Sequence, residues 1–293
     1  MKAAPFSYTR VHHVDEAVDA LATAAQRGED ARVLAGGQSL VPLLAMRLSR
    51  PSRLIDINPV RDLARCQHRD GRLVVGALGR QRQVERSPAA RAVPLLVTAL
   101  PYVGHRELRN RGTVVGSLAH ADPAAELPAV AALVGATVSI AGRGGTREED
   151  ARNLITGPFE TGVAPDELLV SVSFPERGDA EGYGFAEVAR RRGDFALVGV
   201  AARIRLDGDV PVAAEVALFG VGGTPVLREV TDQMAAGPVG DPRLPARVGE
   251  EVAATLEPPS DTHASGTFRR RLARVLVART LAAALDDATG DRP

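Results

Sequence analysis

The stretch "LAGGQSLVPLL", residues 34–44, places two adjacent glycines between two short apolar runs. Glycine is destabilising inside regular structure, so such a pair indicates a plain turn or a point of close backbone approach. A Gly-rich turn that leads into a helix also presents converging backbone N–H groups, which suit an anion. Short glycine motifs arise often by chance, so this stretch alone leaves both interpretations open.

The segments on either side of the glycine pair predict an α/β unit. Residues 15–27 begin with acidic residues and carry apolar residues near helical spacing, which predicts a helix. "ARVLAGG" predicts a short buried strand, and "SRLIDIN" predicts a second one. Between them, "SLVPLLAMRLS" predicts a short helix with Ser39 as its N-cap. Residues 15–58 therefore indicate helix, strand, Gly loop, helix and strand.

Further strands and helices are predicted up to a polar boundary near residues 175–182. The strands are "GRLVVGAL", "ATVSIAG" and "DELLVSVSFP", with "GRGGT" as a hairpin turn. "QVERSPAARAVPLLVTALPYV" predicts a helical stretch broken near Pro94, and "DPAAELPAVAALVG" predicts a helix with Pro123 in its first turn. "GTVVGSLA" is interpreted as a Gly-bounded loop or strand.

The pattern changes after the boundary. "YGFAEVARR", "DFALVGVAARIRLDG" and "VPVAAEVALFGVGG" are successive strand candidates, which favours a small antiparallel sheet. Residues 236–262 are rich in Pro, Gly and Asp and are predicted to be irregular. The final segment, 267–288, predicts an amphipathic helix. Its expected apolar face holds Phe268, Leu272, Val275, Leu276 and Leu285, with Arg269, Arg270 and Arg274 largely elsewhere.

Composition excludes several function classes. The formal net charge is zero, which argues against a nucleic-acid binder. Lys2 is the only lysine, so neither a Schiff-base lysine nor a phosphate-loop lysine is available. Cys66 is the only cysteine, so this chain alone cannot build a disulfide, an iron–sulfur site or a zinc thiolate site. The six histidines lack metal-binding spacing, and no metal site is predicted.

The sequence shows no membrane-targeting pattern. Its first residues lack the apolar core of a signal peptide, and no apolar run is long enough to span a membrane. We therefore expect a cytoplasmic protein without a membrane span.

Two further stretches can carry chemistry. "GTVVGSLAHADPAAE", residues 112–126, offers a second Gly/Ser/Thr loop, so two loops could hold a pyrophosphate while Glu126 or Asp122 binds a ribose hydroxyl. The alternative is an ordinary turn, and for Asp122 a capping role before Pro123 is favoured. "ARRRGDFALVG", residues 189–199, has three arginines that suit phosphate, an acidic partner or simple solvation. No Rossmann glycine motif or nucleophile elbow is present.

Taken together, "VLAGGQSLVPLLAMRL…LIDIN", "LRNRGTVVGSLAHADPAAELPAV" and "RRRGDFALVGVAA" resemble the FAD-binding medium subunit of molybdenum hydroxylases, the xanthine dehydrogenase family. The resemblance is strongest to the medium subunit of aerobic carbon monoxide dehydrogenase, and it covers nearly the whole chain in order. It implies an α+β fold: a two-subdomain, PCMH-type FAD domain of the vanillyl-alcohol-oxidase kind at 1–176, divided at about residue 58. A smaller C-terminal α+β domain with an antiparallel sheet would follow at 182–288.

The resemblance also implies which residues bind FAD. The first loop would bind the FAD pyrophosphate, and the second loop would also bind FAD. An acidic residue after the second loop would bind the ribose. A Gly-Asp-aromatic segment that begins at Gly193 would lie near the isoalloxazine ring. The implied residues are Leu34, Ala35, Gly36, Gly37, Gln38, Ser39, Leu40, Thr113, Val114, Val115, Gly116, Ser117, Asp122, Glu126, Leu169, Asp194 and Phe195. No catalytic residue or metal ligand is implied in this chain.

Four residues bear on how far the family's FAD contacts can be carried over to this chain. The family often has two adjacent glycines in the second loop, and here Val115 precedes Gly116, so its side chain must point away or the approach is less close. Ala186 and Glu187 stand where the family often has a basic residue, so a lysine contact to flavin is absent, and one of Arg190 to Arg192 could take its place. Gln38 lies where some related flavoproteins attach FAD through histidine, so FAD is expected to be noncovalent.

The resemblance implies an electron-transfer subunit. A large subunit would hold the molybdenum cofactor and a small subunit the iron–sulfur clusters, in a dimer of heterotrimers. Electrons would reach FAD in this chain and leave to an external acceptor. The alternatives are a stand-alone FAD-dependent oxidoreductase and a flavin-free scaffold of the same fold.

Overall fold

The computed structural model describes residues 2–290, and its buried apolar side chains form two cores. The first core is built mainly from residues 11–174, and the second from residues 198–285. Within the described residues, no helix is both long enough and apolar enough to cross a membrane.

The N-terminal part is the predicted α/β unit. A parallel three-stranded sheet has the order β1-β3-β2. Its elements are β1 Ser7–Arg10, α1 Val14–Gln26, β2 Ala31–Leu34, α2 Leu40–Ala45 and β3 Arg53–Asp56. The prediction is confirmed except at two points. The polar strand β1 was not anticipated, and Ser39 precedes α2 without a side-chain capping hydrogen bond.

A five-stranded antiparallel sheet of order β4-β5-β10-β6-β7 forms the middle of the chain. Its strands are β4 Cys66–Arg69, β5 Arg72–Gly76, β6 Thr137–Gly142, β7 Gly145–Asp150 and β10 Leu168–Pro175. Around it lie α3 Gln81–Arg86, α4 Pro94–Ala99, α5 Arg106–Arg109, α6 Val114–His120, α7 Glu126–Leu133, α8 Ala151–Leu154, and the short pair β8 Ile155–Gly157 and β9 Glu160–Thr161.

Two sequence predictions in this region are wrong. The stretch after Gly112 is not a loop or strand but leads directly into α6, because the Thr113 hydroxyl accepts a hydrogen bond from the Gly116 N–H at 3.0 Å and caps the helix. Asp122 does not cap the next helix. Its carboxylate accepts from the Ala124 N–H at 2.9 Å in a tight turn, so α7 begins later, at Glu126.

The C-terminal part carries the predicted antiparallel sheet, in the order β11-β12-β13-β14. Its elements are β11 Glu181–Ala189, β12 Ala196–Asp207, β13 Val210–Phe219, β14 Val226–Glu229, α9 Thr231–Ala235, α10 Arg243–Ala254 and α11 Gly266–Thr289. Helix α11 lies directly on β11, because Gly182 and Gly184 leave no side chain there. A Cβ at either glycine would overlap a carbonyl oxygen of α11.

Two further predictions fail here. Residues 236–262 are not wholly irregular, because α10 buries Leu244, Val248 and Val252 at helical spacing. The predicted face of the last helix is also partly wrong. Phe268 and Val275 are exposed, whereas Arg269 is only 5% exposed.

Candidate functional site

The two glycine loops are packed backbone against backbone. A Cβ on Gly36 would overlap the carbonyl oxygen of Arg111 and stand 2.9 Å from the Cα of Gly112. The next residue, Gly37, has φ +72°, a conformation that favours glycine. The close backbone approach considered for the glycine pair is therefore a contact between Gly36 and the second loop of the same chain. Consequently the two predicted loops form one structural unit.

This unit carries free backbone donors. The N–H groups of residues 36–40, and that of Val115, donate to no protein acceptor within residues 2–290. The Gln38 side-chain amide instead donates back to the Gly36 carbonyl at 3.1 Å and holds the turn. A run of unpaired amides around a left-handed glycine is a typical anion-binding arrangement. The donor set fits a diphosphate such as that of FAD.

A polar brace, formed by Asn58 and Arg80, ties the loops together. The Asn58 side-chain amide donates to the Ala35 carbonyl at 2.9 Å. Its side-chain oxygen accepts from Arg80 at 2.6 Å, and Arg80 also donates to the Arg111 carbonyl at 2.5 Å. The Asn58–Arg80 brace thus fixes the carbonyls on both sides of the contact between the loops.

The buried carboxylate of Asp56 anchors this brace. It accepts from the Asn58 backbone N–H at 2.9 Å and from the Tyr8 hydroxyl. Burial opposes ionisation, but these hydrogen bonds outweigh it and hold the pKa of Asp56 below its ordinary value. None of these residues was singled out from the sequence. The available signal was "DIN", polar residues at the carboxyl end of a parallel strand, where ligands of such sheets are often found.

The position of the Val115 side chain is defined in the structure. Its side chain is buried in the first core, so it does not stand between the two loops, which is one of the two arrangements the sequence left open. Leu169 is also buried, on β10 opposite Ile140 and beside a bulge. Helix α6 packs on β10, so Leu169 and the second loop belong to the same layer of the structure.

The third predicted segment packs against the turn at Gly104 and His105, just before α5. Gly193, with φ +85°, packs so closely that a Cβ would be 2.6 Å from Nδ1 of His105. Phe195 is 71% exposed and Asp194 is also exposed. The segment is thus brought to the same end of the molecule through His105, which precedes α5.

Arg109 holds the turn on which Gly193 packs. It donates to the carbonyls of Val103 and Gly104 at 3.1 and 2.9 Å and forms an ion pair with Glu85 at 3.0 Å. Because it is buried and donates through both Nε and Nη1, it fixes the 101–105 turn against which Gly193 rests. This arginine was not predicted from the sequence to be a site residue.

Two acidic side chains, Glu126 on α7 and Glu187 on β11, interact electrostatically. Glu126, in the first turn of α7, is buried, and burial raises its pKa to about 7, with the Asp122 charge adding to the effect and Arg109 opposing it. Burial and the charge of Glu126 raise the pKa of Glu187, on β11, to about 8. One carboxylate oxygen of Glu187 is buried and has no hydrogen-bond partner among the described residues. Sequence reasoning predicted only the first of these two acids as a site residue.

Other chemistry is not indicated at this site. Across residues 2–290, no cluster of three or more His, Cys, Asp or Glu side chains could hold a metal ion. Burial raises the pKa of the Cys66 thiol, which disfavours the reactive thiolate form.

Comparison with known proteins gives consistent matches over both parts of the chain. Residues 4–177 match the family described as FAD binding domain in molybdopterin dehydrogenase, and residues 183–284 match the CO dehydrogenase flavoprotein C-terminal domain. The 6-hydroxypseudooxynicotine dehydrogenase complex subunit alpha of Paenarthrobacter nicotinovorans is 36% identical, over 97% of this chain and 96% of that protein. The carbon monoxide dehydrogenase medium chain of Afipia carboxidovorans is 30% identical, over 92% and 94%. The crystal structure of quinoline 2-oxidoreductase from Pseudomonas putida 86 matches with a TM-score of 0.90 and 38% identity, over 99% of both chains.

Proposed function

This chain belongs to the FAD-binding subunits of the molybdenum hydroxylase family, and we propose that it serves there as the electron-transfer subunit. Electrons would arrive from iron–sulfur clusters of a partner subunit and leave through FAD to an external acceptor. When bound, FAD would supply the capacity to take up electrons one at a time and to release them singly or in pairs. The chain itself would bind the cofactor, orient it and set its electrostatic surroundings.

The observation that carries the proposal is the contact between Gly36 and Arg111. It brings together two loops whose free amides fit the diphosphate of FAD, with Gly36 to Leu40 on one side and Val115 on the other. Glu126 would accept a hydrogen bond from a ribose hydroxyl. Leu169 would contact an apolar part of the cofactor. Asp194 and Phe195 would lie beside the isoalloxazine ring.

The remaining features of the proposal follow the family. FAD would be noncovalent, since the Gln38 side chain offers no nucleophile for attachment and is engaged with the Gly36 carbonyl. The molybdenum cofactor and the iron–sulfur clusters would sit in a large and a small partner, because one cysteine cannot ligate a cluster. We expect a dimer of such heterotrimers in the cytoplasm. The FAD domain would span 1–176 and the C-terminal domain 182–288.

Co-expression with the genes that flank it tests the proposal. A tagged chain is expected to co-purify with two partners and to show a flavin absorption spectrum that persists through gel filtration. Flavin released by acid precipitation is expected to be fully soluble, as for a noncovalent cofactor. A yellow protein that purifies alone and turns over a substrate would favour a stand-alone oxidoreductase. A colourless protein that takes up no added FAD would favour a scaffold.

A further inference from the structure

Leu197, near the start of β12, is the extra residue of a β-bulge. Its two neighbours in β12 pair with consecutive residues of β11, Ala189 and Val188, so Leu197 itself is left over. A bulge bends its strand and changes the direction of the adjoining chain, and bulges are frequent next to active sites. The chain that leads into this bulge is the turn that carries Phe195.

The side chain of Arg269, from α11, holds the bulge. Its Nη1 donates to the Leu197 carbonyl and, at 3.0 Å, to the carbonyl of Gly220, directly after β13. Gly220 has φ +74°, and a Cβ there would stand 2.7 Å from the Leu197 carbonyl oxygen, so the two strand ends pack closely. Asp261 accepts from Nη2 of the arginine at 2.6 Å and fixes the direction of the guanidinium plane.

The Nε–H of Arg269 is buried and has no hydrogen-bond partner among residues 2–290. An unpaired buried donor lowers stability. Natural proteins break such rules mainly at functional sites, where a side chain has to hold a particular geometry. The unpaired donor therefore indicates that this arginine serves the position of the bulge as well as the stability of the second core.

The turn between β11 and β12 is thus fixed at two points. Gly193 packs on His105, in the part of the chain that builds the first core, and the Leu197 carbonyl is bound by Arg269. Phe195 lies midway between these two points in the sequence. Because its side chain is 71% exposed, its own packing does little to fix the ring, and the backbone on either side sets its position.

The same arginine is connected to the proposed ribose side of the site. The carbonyl of Gly220 accepts from Arg269, and the N–H of Gly220 donates to the Pro123 carbonyl at 2.9 Å. Pro123 lies in the tight turn that leads to Glu126 at the start of α7. One buried side chain therefore relates the turn that carries Phe195 to the turn before Glu126.

We propose that Arg269 is a positioning residue for FAD, which places Phe195 against the cofactor by holding the carbonyls of Leu197 and Gly220. This inference rests on the proposed contact between Phe195 and the isoalloxazine ring. Arg269 is buried and acts through these two carbonyls. A lysine there would keep the charge, but one ammonium group cannot reproduce the planar fork that reaches both carbonyls and Asp261. The turn would then move, and FAD binding would weaken.

A double-mutant cycle on the full-length chain, freed of flavin and titrated with FAD, tests the proposal. The quenching of flavin fluorescence gives the dissociation constants of the wild type, Arg269→Lys, Phe195→Ala and the double variant. We expect R269K to weaken FAD binding by about fivefold or more when Phe195 is present, and by less than about twofold in the F195A background. Arg271→Lys, at an exposed position of the same helix, is the matched control and should bind FAD as the wild type does. A general loosening of the second core would act equally in both backgrounds, and that result would overturn the proposal.

The visible circular dichroism of bound FAD provides a second readout, because it reports the surroundings of the isoalloxazine ring. At saturating FAD, the R269K spectrum should depart from that of the wild type in the same direction as the F195A spectrum. An R269K spectrum identical to that of the wild type, while F195A differs, would refute the role of Arg269.

Asp261→Asn decides the question if R269K does not fold. Asp261 is exposed, and its replacement keeps the arginine but removes the charge that directs it. We expect D261N to weaken FAD binding only when Phe195 is present. An equal effect in both backgrounds, or no effect in either, would overturn the inference.

Phe195→Ala by itself separates this inference from the proposed function. If F195A changes FAD affinity or the flavin spectrum while R269K changes neither, the Phe195 contact stands and the role of Arg269 is refuted. If F195A matches the wild type in both, the Phe195 contact is wrong and the inference falls with it. Co-purification of flavin and two partners would still support an electron-transfer subunit in that case.

Discussion

Gly36 lies against the peptide that joins Arg111 to Gly112, so closely that no side chain fits between them. This contact joins a loop of the parallel three-stranded sheet to the loop that begins α6. The Asn58–Arg80 brace holds the carbonyls on both sides of it. The distance between the loops, and hence the spacing of their free amides, is fixed by the protein before any ligand binds.

Gly36→Ala should therefore weaken FAD binding without unfolding the chain. The added methyl group must displace the Arg111 carbonyl, which shifts one row of amides relative to the other. We expect a loss of about 10- to 100-fold in FAD affinity, comparable to 1–3 kcal/mol. Equilibrium dialysis with FAD measures it. Gly144→Ala is the control, since a Cβ there meets nothing within 4 Å, and an equal loss in both variants would contradict the packing argument.

Arg80→Ala should destabilise the protein by about 1–3 kcal/mol, because it removes the donors to Asn58 and to the Arg111 carbonyl. Guanidinium unfolding followed by circular dichroism measures the loss. Arg80→Lys retains the charge, but an ammonium cannot span both acceptors, so most of the loss should remain. Arg69→Ala, at an exposed ion pair, should stay within about 0.5 kcal/mol of the wild type. A fully stable R80K would show that charge, not geometry, holds the loops.

The sequence predicted the elements that have a strong periodic signal and missed contacts made at a distance. The α/β unit around Gly36 and the antiparallel C-terminal sheet follow from local patterns and are confirmed. The α6 helix was missed because "GTVVGSLA" is rich in β-branched and glycine residues, and a single capping hydroxyl at Thr113 decides the outcome. The Asn58–Arg80 brace could not be predicted, since its members come from separate segments and no local pattern reports their meeting.

Arg269 is a second example of a contact between distant segments that the sequence did not predict. Helical spacing placed it off the apolar face, yet it is buried and donates to the carbonyls of Leu197 and Gly220, and it pairs with Asp261 at 2.6 Å. Position around the helix therefore did not determine burial. Arg269 is buried because its long side chain donates to carbonyl groups at the ends of β12 and β13. The spacing of apolar residues along the helix does not indicate where these carbonyl groups lie.

Arg269→Ala should accordingly destabilise the second core by about 3 kcal/mol or more, since it leaves two buried carbonyls without their side-chain donor and removes the ion pair with Asp261. Thermal unfolding, followed by limited proteolysis to locate the loosened region, measures the effect. Arg271→Ala, two residues away and exposed, should change stability by less than about 0.5 kcal/mol. Equal stability of the two variants would mean that the buried contacts contribute nothing.

Stability should also depend on pH through Glu187. Its pKa in the folded protein, about 8, lies above its ordinary value of 4.5, so the folded state binds more protons between these values. The contribution of Glu187 to the free energy of unfolding is therefore highest below pH 4.5 and falls as the pH rises towards 8. We expect Glu187→Gln to gain stability relative to the wild type between pH 6.5 and 8.5, as measured by denaturant midpoints. A constant difference across that range would contradict the raised pKa.

The turn at Gly193 connects two strands of the C-terminal sheet, yet it rests on His105, in the part of the chain that builds the first core. The position of the turn that precedes Phe195 is thus set by both halves of the polypeptide. In a chimera that joins the first half of this chain to the second half of a relative, this contact would decide whether the halves fit. Any side chain larger than hydrogen at position 193 would clash with His105 and displace the turn. Residues 105 and 193 should therefore be transferred as a pair.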